Sequence, residues 1–380
     1  MELDVLHVTE ACGGGVRRHL QLILPALMAR GLRCGLFAFG SRLEAGFLDD
    51  LEDFRQQGCQ VKILQQNSNA LFNCWEAMRQ LRELVKEWKP GVVHAHAFQA
   101  GVVVRMGLRK QKDSLRILYS PHAFAIHPAL PWWKRTFDAF TERLLDKWTD
   151  GFVFVGQSEV REALELGLLH DHFHLAQNGL PMDFSDHIAA RDDARKELGL
   201  EEGIRVVAAP CRLERQKGLE CLVESATRLP KDVQIILYGE GSERDRLARL
   251  IRRLGVEQRV HFGGQVNNLR HLLRAFDVIV LPSWYEGLSY ALLEACGAAV
   301  PIVASDIPAN VANPKLRDCL GLFRAGDSDS LALAIHATLD HPGEAENCAK
   351  NACSILHSQF TLAAQIKKLI WLYRQGATFH

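Results

Sequence analysis

Two glutamates, Glu286 and Glu294, stand eight positions apart in the run Ser283-Trp284-Tyr285-Glu286-Gly287-Leu288-Ser289-Tyr290-Ala291-Leu292-Leu293-Glu294-Ala295. A carboxylate accepts two hydrogen bonds side by side, which matches a pair of vicinal hydroxyls. The segment before it, Asp277-Val278-Ile279-Val280-Leu281-Pro282-Ser283, reads as a buried strand ended by proline. After Gly287, the apolar residues Leu288, Ala291, Leu292 and Ala295 recur at helical spacing and predict a helix from near Leu288. A helix N-terminus offers unbonded N–H groups and a positive dipole end, so an anionic phosphate belongs there. Glu286 then lies at the mouth and Glu294 about two turns down the helix. The pair suits a ligand carrying both sugar and phosphate. Taken alone, a turn glutamate and a solvated helical one would read the same way, so the other loops must decide.

Four further loops follow predicted strands. Cys12-Gly13-Gly14-Gly15-Val16 lets backbone N–H groups approach a phosphate or sugar closely. The dinucleotide fingerprint fails there, because Arg18 occupies the third glycine position, and a nicotinamide enzyme is disfavoured. In Ser120-Pro121-His122-Ala123-Phe124, His122 can donate to a sugar hydroxyl or to developing charge; a lone histidine can also be structural. In Pro210-Cys211-Arg212-Leu213-Glu214-Arg215-Gln216-Lys217-Gly218, Arg212 and Lys217 can jointly neutralise a diphosphate, while Arg215 reads as solvated. Tyr238-Gly239-Glu240-Gly241-Ser242 is a glycine turn expected to cap the next helix.

These loops need a scaffold. Short apolar runs at Leu3–Val8, Cys34–Phe39, Val61–Leu64, Val92–His96, Ile117–Ser120 and Phe152–Val155 predict buried parallel strands. Helical stretches at Val16–Arg30, Cys74–Trp88 and Trp132–Thr149 alternate with them, and Pro25 is expected to kink or break the first. After the turn signal Asn178-Gly179-Leu180-Pro181 a second series begins. Its strands are Val206–Ala209, Val233–Tyr238, Val260–Phe262, Val278–Leu281 and Ile302–Ala304, with helices at Leu219–Leu229, Ser242–Leu254 and Leu288–Ala298. The fold class is α/β, two open sheets in tandem with the ligand expected outside the carboxyl ends of the strands. The amphipathic stretch Leu362–Arg374 is expected to pack back on the body rather than bind a membrane.

Bulk composition narrows the class. At 380 residues the chain exceeds the growth limit of one core, so two domains are expected. With 45 basic and 45 acidic residues, no global field attracts nucleic acid. The N-terminus Met1-Glu2-Leu3-Asp4-Val5 lacks a signal-peptide pattern, and no apolar run reaches the length of a membrane span. Ten scattered cysteines without a CxxC pair read as reduced thiols, and the expected location is cytoplasmic.

Read in order, the motifs resemble the retaining GT-B glycosyltransferases of family 4. The matching pieces are GGV at Gly14–Val16 with His19 following, HAH at His94–His96, PHAF at Pro121–Phe124, and NGLP at Asn178–Pro181. CRLERQKG at Cys211–Gly218, YGEGSERDRL at Tyr238–Leu247, FGGQV at Phe262–Val266 and the long run Pro282–Asp306 complete the series. The resemblance implies a GT-B fold of two Rossmann-like domains facing across a cleft. The boundaries expected are 1–180 for the acceptor side, 181–356 for the nucleotide-sugar side, and 357–380 for a helix returning to the first domain.

The resemblance also implies roles. Arg212 and Lys217 would bind the donor diphosphate in place of a metal ion, Glu286 the donor sugar, and Glu294 the ribose hydroxyls. The N–H groups of Gly287, Leu288 and Ser289 would hold phosphate oxygens. Gly14 and Gly15 would line the donor, with Gly15 allowing the first domain to close, and His122 would reach the sugar from the acceptor side. His122 and Glu286 are thus the expected catalytic pair. The donor would be a UDP-sugar first and a GDP-sugar next, with no metal or other cofactor. The acceptor would be a glycan, a lipid-linked or a small-molecule hydroxyl, joined with retained anomeric configuration. The chain departs from the family at Ala123, where glycine is usual, at Leu180-Pro181, and at Ile307-Pro308-Ala309-Asn310, where glycines are common.

Two further signals stand apart. His170-Asp171-His172-Phe173-His174 would project three histidines from one face of a strand, but no fourth zinc ligand is evident nearby. Trp132, Trp133, Lys134 and Arg135 suit a bilayer interface at the inner membrane face, an acceptor-side lid, or plain core. The rival functions are a nucleotide-sugar epimerase on the same scaffold and a catalytically silent binding protein. Intact Arg212, Lys217, Glu286 and Glu294 argue against the second.

Overall fold

The structure, a computed structural model, describes residues 2–40, 46–65, 70–111, 115–124, 130–168 and 170–375. Residues 376–380 of the C-terminal segment and the side chain of His170 lie outside that description. The chain forms two compact units, Met1–Asn178 with Leu362–His380, and Gly179–Thr361.

The first unit is built on a parallel sheet of strands β1 (Val5–Thr9), β2 (Cys34–Gly40), β3 (Gln60–Gln65), β4 (Val92–His96), β5 (Arg116–Ser120), β6 (Gly151–Phe154) and β7 (Phe173–Leu175). They lie in the order β3-β2-β1-β4-β5-β6-β7, so the winding reverses between β1 and β4. That reversal splays the loops after β1 and β4 apart and opens a crevice at their carboxyl ends. The pleat sorts the side chains of β1. Leu6 and Val8 join a cluster with Val93, Ala95 and Phe152, while Val5 joins Val92, Leu118 and the helix Leu362–Arg374. That helix buries Ile366, Leu369, Leu372 and Tyr373 along one stripe and leaves Lys367 and Arg374 exposed.

The chain departs from its local sequence pattern in two places. The helix Gly14–Met28 runs unbroken through Pro25. Pro25 lies in its last turn, where only one helical bond is lost before the helix stops of its own accord. His170–His172 form a 3₁₀ turn and only Phe173–Leu175 is strand, so the three histidines do not share a strand face.

The second unit repeats the winding with β8 (Arg205–Pro210), β9 (Val233–Tyr238), β10 (Val260–Gly264), β11 (Val278–Leu281), β12 (Ile302–Ser305) and β13 (Gly321–Phe323). Their order is β10-β9-β8-β11-β12-β13, all parallel. The reversal falls between β8 and β11, the two strands that carry the basic loop and the Glu286 loop. Strands β7 and β13 escape the sequence pattern because edge strands of three residues are too short to show a period. All ten cysteines are free thiols. Among the described residues, no helix is long and apolar enough to cross a membrane.

Candidate active site

In the second unit, two loops distant in sequence are locked together. Lys217 Nζ lies 2.5 Å from Glu286 Oε1, and Ser283 Oγ donates to the same oxygen at 2.7 Å. Gln216 Nε2 donates to the Tyr285 carbonyl at 2.8 Å, and the Trp284 N–H donates to the Gln216 carbonyl at 2.8 Å. Ser283 is held from behind, since Ser305 Oγ donates to its carbonyl at 2.6 Å and Asn310 Nδ2 donates to the Ser305 carbonyl at 2.9 Å. Asn310 belongs to the Ile307-Pro308-Ala309-Asn310 segment. There Pro308 begins a short helix and the amide side chain braces the strand end.

Gly218 closes the basic loop with φ +61°, and a Cβ there would meet the Pro282 carbonyl oxygen at 2.1 Å. Only glycine permits this approach of two backbones. Arg212 is exposed beside this junction, while the Lys217 and Glu286 side chains are largely buried. The glycine turn after β9 is tied to the same loop through Leu213 N–H to the Glu240 carbonyl at 2.9 Å. Ser242 does not cap the next helix. Its hydroxyl donates to Glu214 Oε2 at 2.7 Å, and the helix begins at Arg244 with Glu243 at the cap position.

The helix after Glu286 starts at Tyr290 with Ser289 as its N-cap, two residues later than the apolar spacing suggested. Gly287 and Leu288 are buried in the preceding turn rather than in the helix. Glu294 therefore sits little more than one turn into the helix, half-buried. The shift brings it nearer the helix mouth than periodicity alone implied.

In the first unit, Gly14 begins the helix Gly14–Met28, and Gly15 is exposed with open space where a Cβ would stand. His122 follows β5 with φ +59°, and Ala123 has φ +131°, in the region that favours glycine. Such backbone costs about 1–3 kcal/mol per residue and persists only where the surroundings over-determine it. Glu159 and Glu162 of the helix Gln157–Glu165 supply part of that hold. The N–H groups of Ala123 and Phe124 lie against their carboxyls, and Glu159 Oε2 also accepts from Val155 and Gly156 at 2.7 and 3.0 Å. Glu10 accepts from the N–H groups of Gln99 and Ala100 at 3.0 and 2.8 Å. The sequence reading missed these three glutamates; Glu159 stands three residues after the N-cap Gly156 and accepts its N–H, but with glycine at the cap the residue pattern that marks a capping box is absent.

His122 is one member of a cluster of five histidines with His7, His19, His94 and His96. His7 and His94 are register partners across β1 and β4, and His96 lies two residues on, so all three point to one sheet face. His7, His94 and His96 are fully buried, and His19 nearly so. Burial pushes His7 down to about 3 and His19 to about 4, and holds His94, His96 and His122 well below the usual imidazole range. The same cause pushes Glu10 and Glu162 up to about 7 and Glu159 to about 8.

The signs oppose each other. Stability from the neutral histidines is present above their unfolded pKa and lost as pH falls below it. Stability from the neutral carboxyls is present below theirs and lost as pH rises through 7 to 8. The first unit should be most stable near pH 6 and lose about 2 kcal/mol by pH 9. Denaturant melts at a series of pH values would check this, and a monotonic rise to pH 9 would contradict it.

The profile described as "Glycosyltransferase Family 4" matches residues 13–184, and "Glycosyl transferases group 1" matches residues 190–354. The Streptomyces kanamyceticus alpha-D-kanosaminyltransferase is 30% identical over 201 residues, a match spanning half of this chain and half of that relative's length. The Escherichia coli UDP-Gal:alpha-D-GlcNAc-diphosphoundecaprenol alpha-1,3-galactosyltransferase is 25% identical over 346 residues, 87% of each chain. The crystal structure of Anabaena HepE in complex with UDP and glucose superposes with a TM-score of 0.79 at 20% identity, covering 98% of this chain and all of that one. That likeness is one of fold, the two-domain GT-B arrangement of paired doubly wound sheets. Two profiles that together take in nearly the whole chain, falling on the loops that carry His122, Lys217 and Glu286, identify it as a member of the group 1, family 4 glycosyltransferases.

Proposed function

We propose that the protein transfers a sugar from a nucleoside diphosphate sugar, a UDP-sugar before a GDP-sugar, to a hydroxyl of a glycan, a lipid-linked saccharide or a small molecule. The observation that carries this reading is the junction of Lys217, Glu286 and Ser283, which gathers a cation and a sugar-binding carboxylate at the winding reversal of the second unit. Breaking a sugar–phosphate bond leaves negative charge on the diphosphate. Lys217, held on Glu286, and the exposed Arg212, with the helix beginning at Tyr290, stabilise that charge. In this reading Glu294 takes the ribose hydroxyls, His122 faces the sugar, and no metal ion is required. We assign retention of configuration because the family resemblance implies it. A uridine nucleotide is named for both the Escherichia coli relative and the Anabaena structure, which favours UDP.

Thermal shifts with UDP, GDP and ADP, measured without and then with EDTA, for wild type and Glu294→Ala, test the donor site. A nucleotide at about a hundred times its Kd should add roughly 2.7 kcal/mol of stability. UDP should give the largest shift, and Glu294→Ala should weaken it. A shift that vanishes on adding EDTA would overturn the metal-free reading, and the absence of any shift would overturn the donor site.

A membrane-facing role for the helix Trp132–Asp146 is favoured by its exposure. Trp132 is 75% and Trp133 61% exposed, which excludes plain core, and Phe137, Phe140 and Leu144 continue the stripe at helical spacing. Lys134 and Arg135 flank it, with Lys134 paired to Asp138 at 2.6 Å. Flotation with anionic vesicles should show binding that falls about tenfold or more in Trp132→Ser/Trp133→Ser, since each buried aromatic contributes about 1.5–3 kcal/mol. Equal flotation of wild type and variant would rule this contact out.

A further inference from the structure

The five histidines of the first unit are not equivalent, and their contacts fix where the protons lie. Ser120 Oγ donates its one proton to the Val153 carbonyl at 2.6 Å, so it accepts from His94 Nε2 at 2.9 Å. His94 then carries its proton on Nε2 and accepts the Tyr373 hydroxyl on Nδ1 at 2.8 Å. Both of its nitrogens are spent. His19 Nδ1 faces Asn178 Oδ1 at 3.1 Å, an oxygen that also accepts from Gln365 Nε2 at 3.1 Å, so His19 carries its proton on Nδ1; Gln365 Nε2 lies farther from that nitrogen, at 3.5 Å.

The remaining three form a chain. His122 Nε2 lies 3.0 Å from His96 Nδ1, and His96 Nε2 lies 2.9 Å from His7 Nδ1. A neutral imidazole has one N–H and one lone pair, so the three protons must all point the same way along the chain. If they point inward, the last N–H falls on His7 Nε2, a buried atom without a hydrogen-bond partner. If they point outward, that position holds only a lone pair, His7 donates to His96, and His96 donates to His122 Nε2. A buried N–H without an acceptor is the rarer and costlier defect, by about 1–3 kcal/mol. The outward state is therefore favoured, and it leaves the His122 proton on Nδ1.

We infer that His96, backed by His7, is a positioning residue that holds His122 as the Nδ1–H tautomer, a neutral hydrogen-bond donor towards the sugar and not a general base. The inference rests on the reading of His122 as the sugar-facing group. Its strained backbone supports it, since φ +59° at His122 and +131° at Ala123 fix where the ring is presented while the chain fixes which atom is protonated. A metal ion is the competing use of these nitrogens. Histidine trios His7/His94/His96 and His19/His96/His122 each bring ligand atoms within 4.8 Å of one another. The first trio has no lone pair to spare at His94. The second would break the His96–His122 hydrogen bond.

The test is nitrogen-15 NMR of histidine-labelled full-length protein, with His122 assigned by its loss in His122→Ala. Between about pH 6 and 8 the His122 signal should stay neutral with the proton on Nδ1. His96→Phe keeps a ring in place but removes the donor, and should release that preference; His96→Asn restores an N–H and should keep it. With UDP-glucose as probe, turnover should fall about tenfold in His96→Phe with KM nearly unchanged, and recover in His96→Asn. A His122 proton on Nε2 in the wild type would overturn the inference. So would one stoichiometric zinc ion bound with loss of the His96–His122 bond, or equal loss of turnover in both His96 variants. A wild type that does not turn over any nucleotide sugar would refute the functional reading instead, and the spectra would still decide the tautomer.

Discussion

Replacing Lys217 by alanine should lower kcat/KM for the nucleotide sugar by about a hundred- to a thousandfold, the usual cost of removing one preorganised charge partner of a developing anion. Lys217 Nζ stands 2.5 Å from Glu286 Oε1 in a junction where its side chain is 16% exposed. A cation so placed, largely withdrawn from water, acts on the leaving diphosphate far more strongly than a solvated one. Arginine should not restore the loss, since its planar fork cannot replace a point charge on Glu286 Oε1, an oxygen that already accepts from the Ser283 hydroxyl. Removal of the ammonium also leaves Glu286 Oε1, among the described residues, with the Ser283 hydroxyl as its remaining partner, so a stability loss of about 1–3 kcal/mol should accompany the kinetic one. Steady-state kinetics paired with melting curves separates the two effects. A kcat/KM within threefold of wild type would remove Lys217 from the donor site.

Gly218→Ala should be the most damaging single methyl in the second unit. The added Cβ would stand 2.1 Å from the Pro282 carbonyl oxygen, and both sides of the clash are backbone. No side-chain rotation relieves it, so the basic loop and the Glu286 loop must part. The left-handed φ of +61° adds about 1–2 kcal/mol of its own. A total of about 3 kcal/mol or more should lower the melting temperature by roughly 6–12 °C for a unit of this size. The UDP-induced shift should vanish with it, because Lys217 and Glu286 no longer meet. Retention of that shift in a destabilised Gly218→Ala would show that donor binding does not need the junction.

The alternation of buried strands with amphipathic helices was legible in the chain because its period depends on local chemistry alone. Strands β1 to β6 and β8 to β12 fall on apolar runs that the eye can find. Only the edge strands Phe173–Leu175 and Gly321–Phe323, too short to carry a period, were hidden. The donor loops were equally legible, since glycines, a spaced Arg and Lys, and a Glu-x7-Glu run announce themselves by residue type.

Other features depended on distance and could not be read. Lys217 and Glu286 are 69 positions apart, and only the adjacency of β8 and β11 brings them into contact. The start of the helix at Tyr290 was set by the turn at Gly287 and Leu288, which apolar spacing cannot see. Most of all, His7, His19, the pair His94 and His96, and His122 come from four separate stretches that read as ordinary core, motif or loop residues one at a time. The residue types determined that this chain could handle a sugar and a phosphate. Only the tertiary structure decided which nitrogens face one another, because a proton's place in a buried chain is set by neighbours that the sequence leaves far apart.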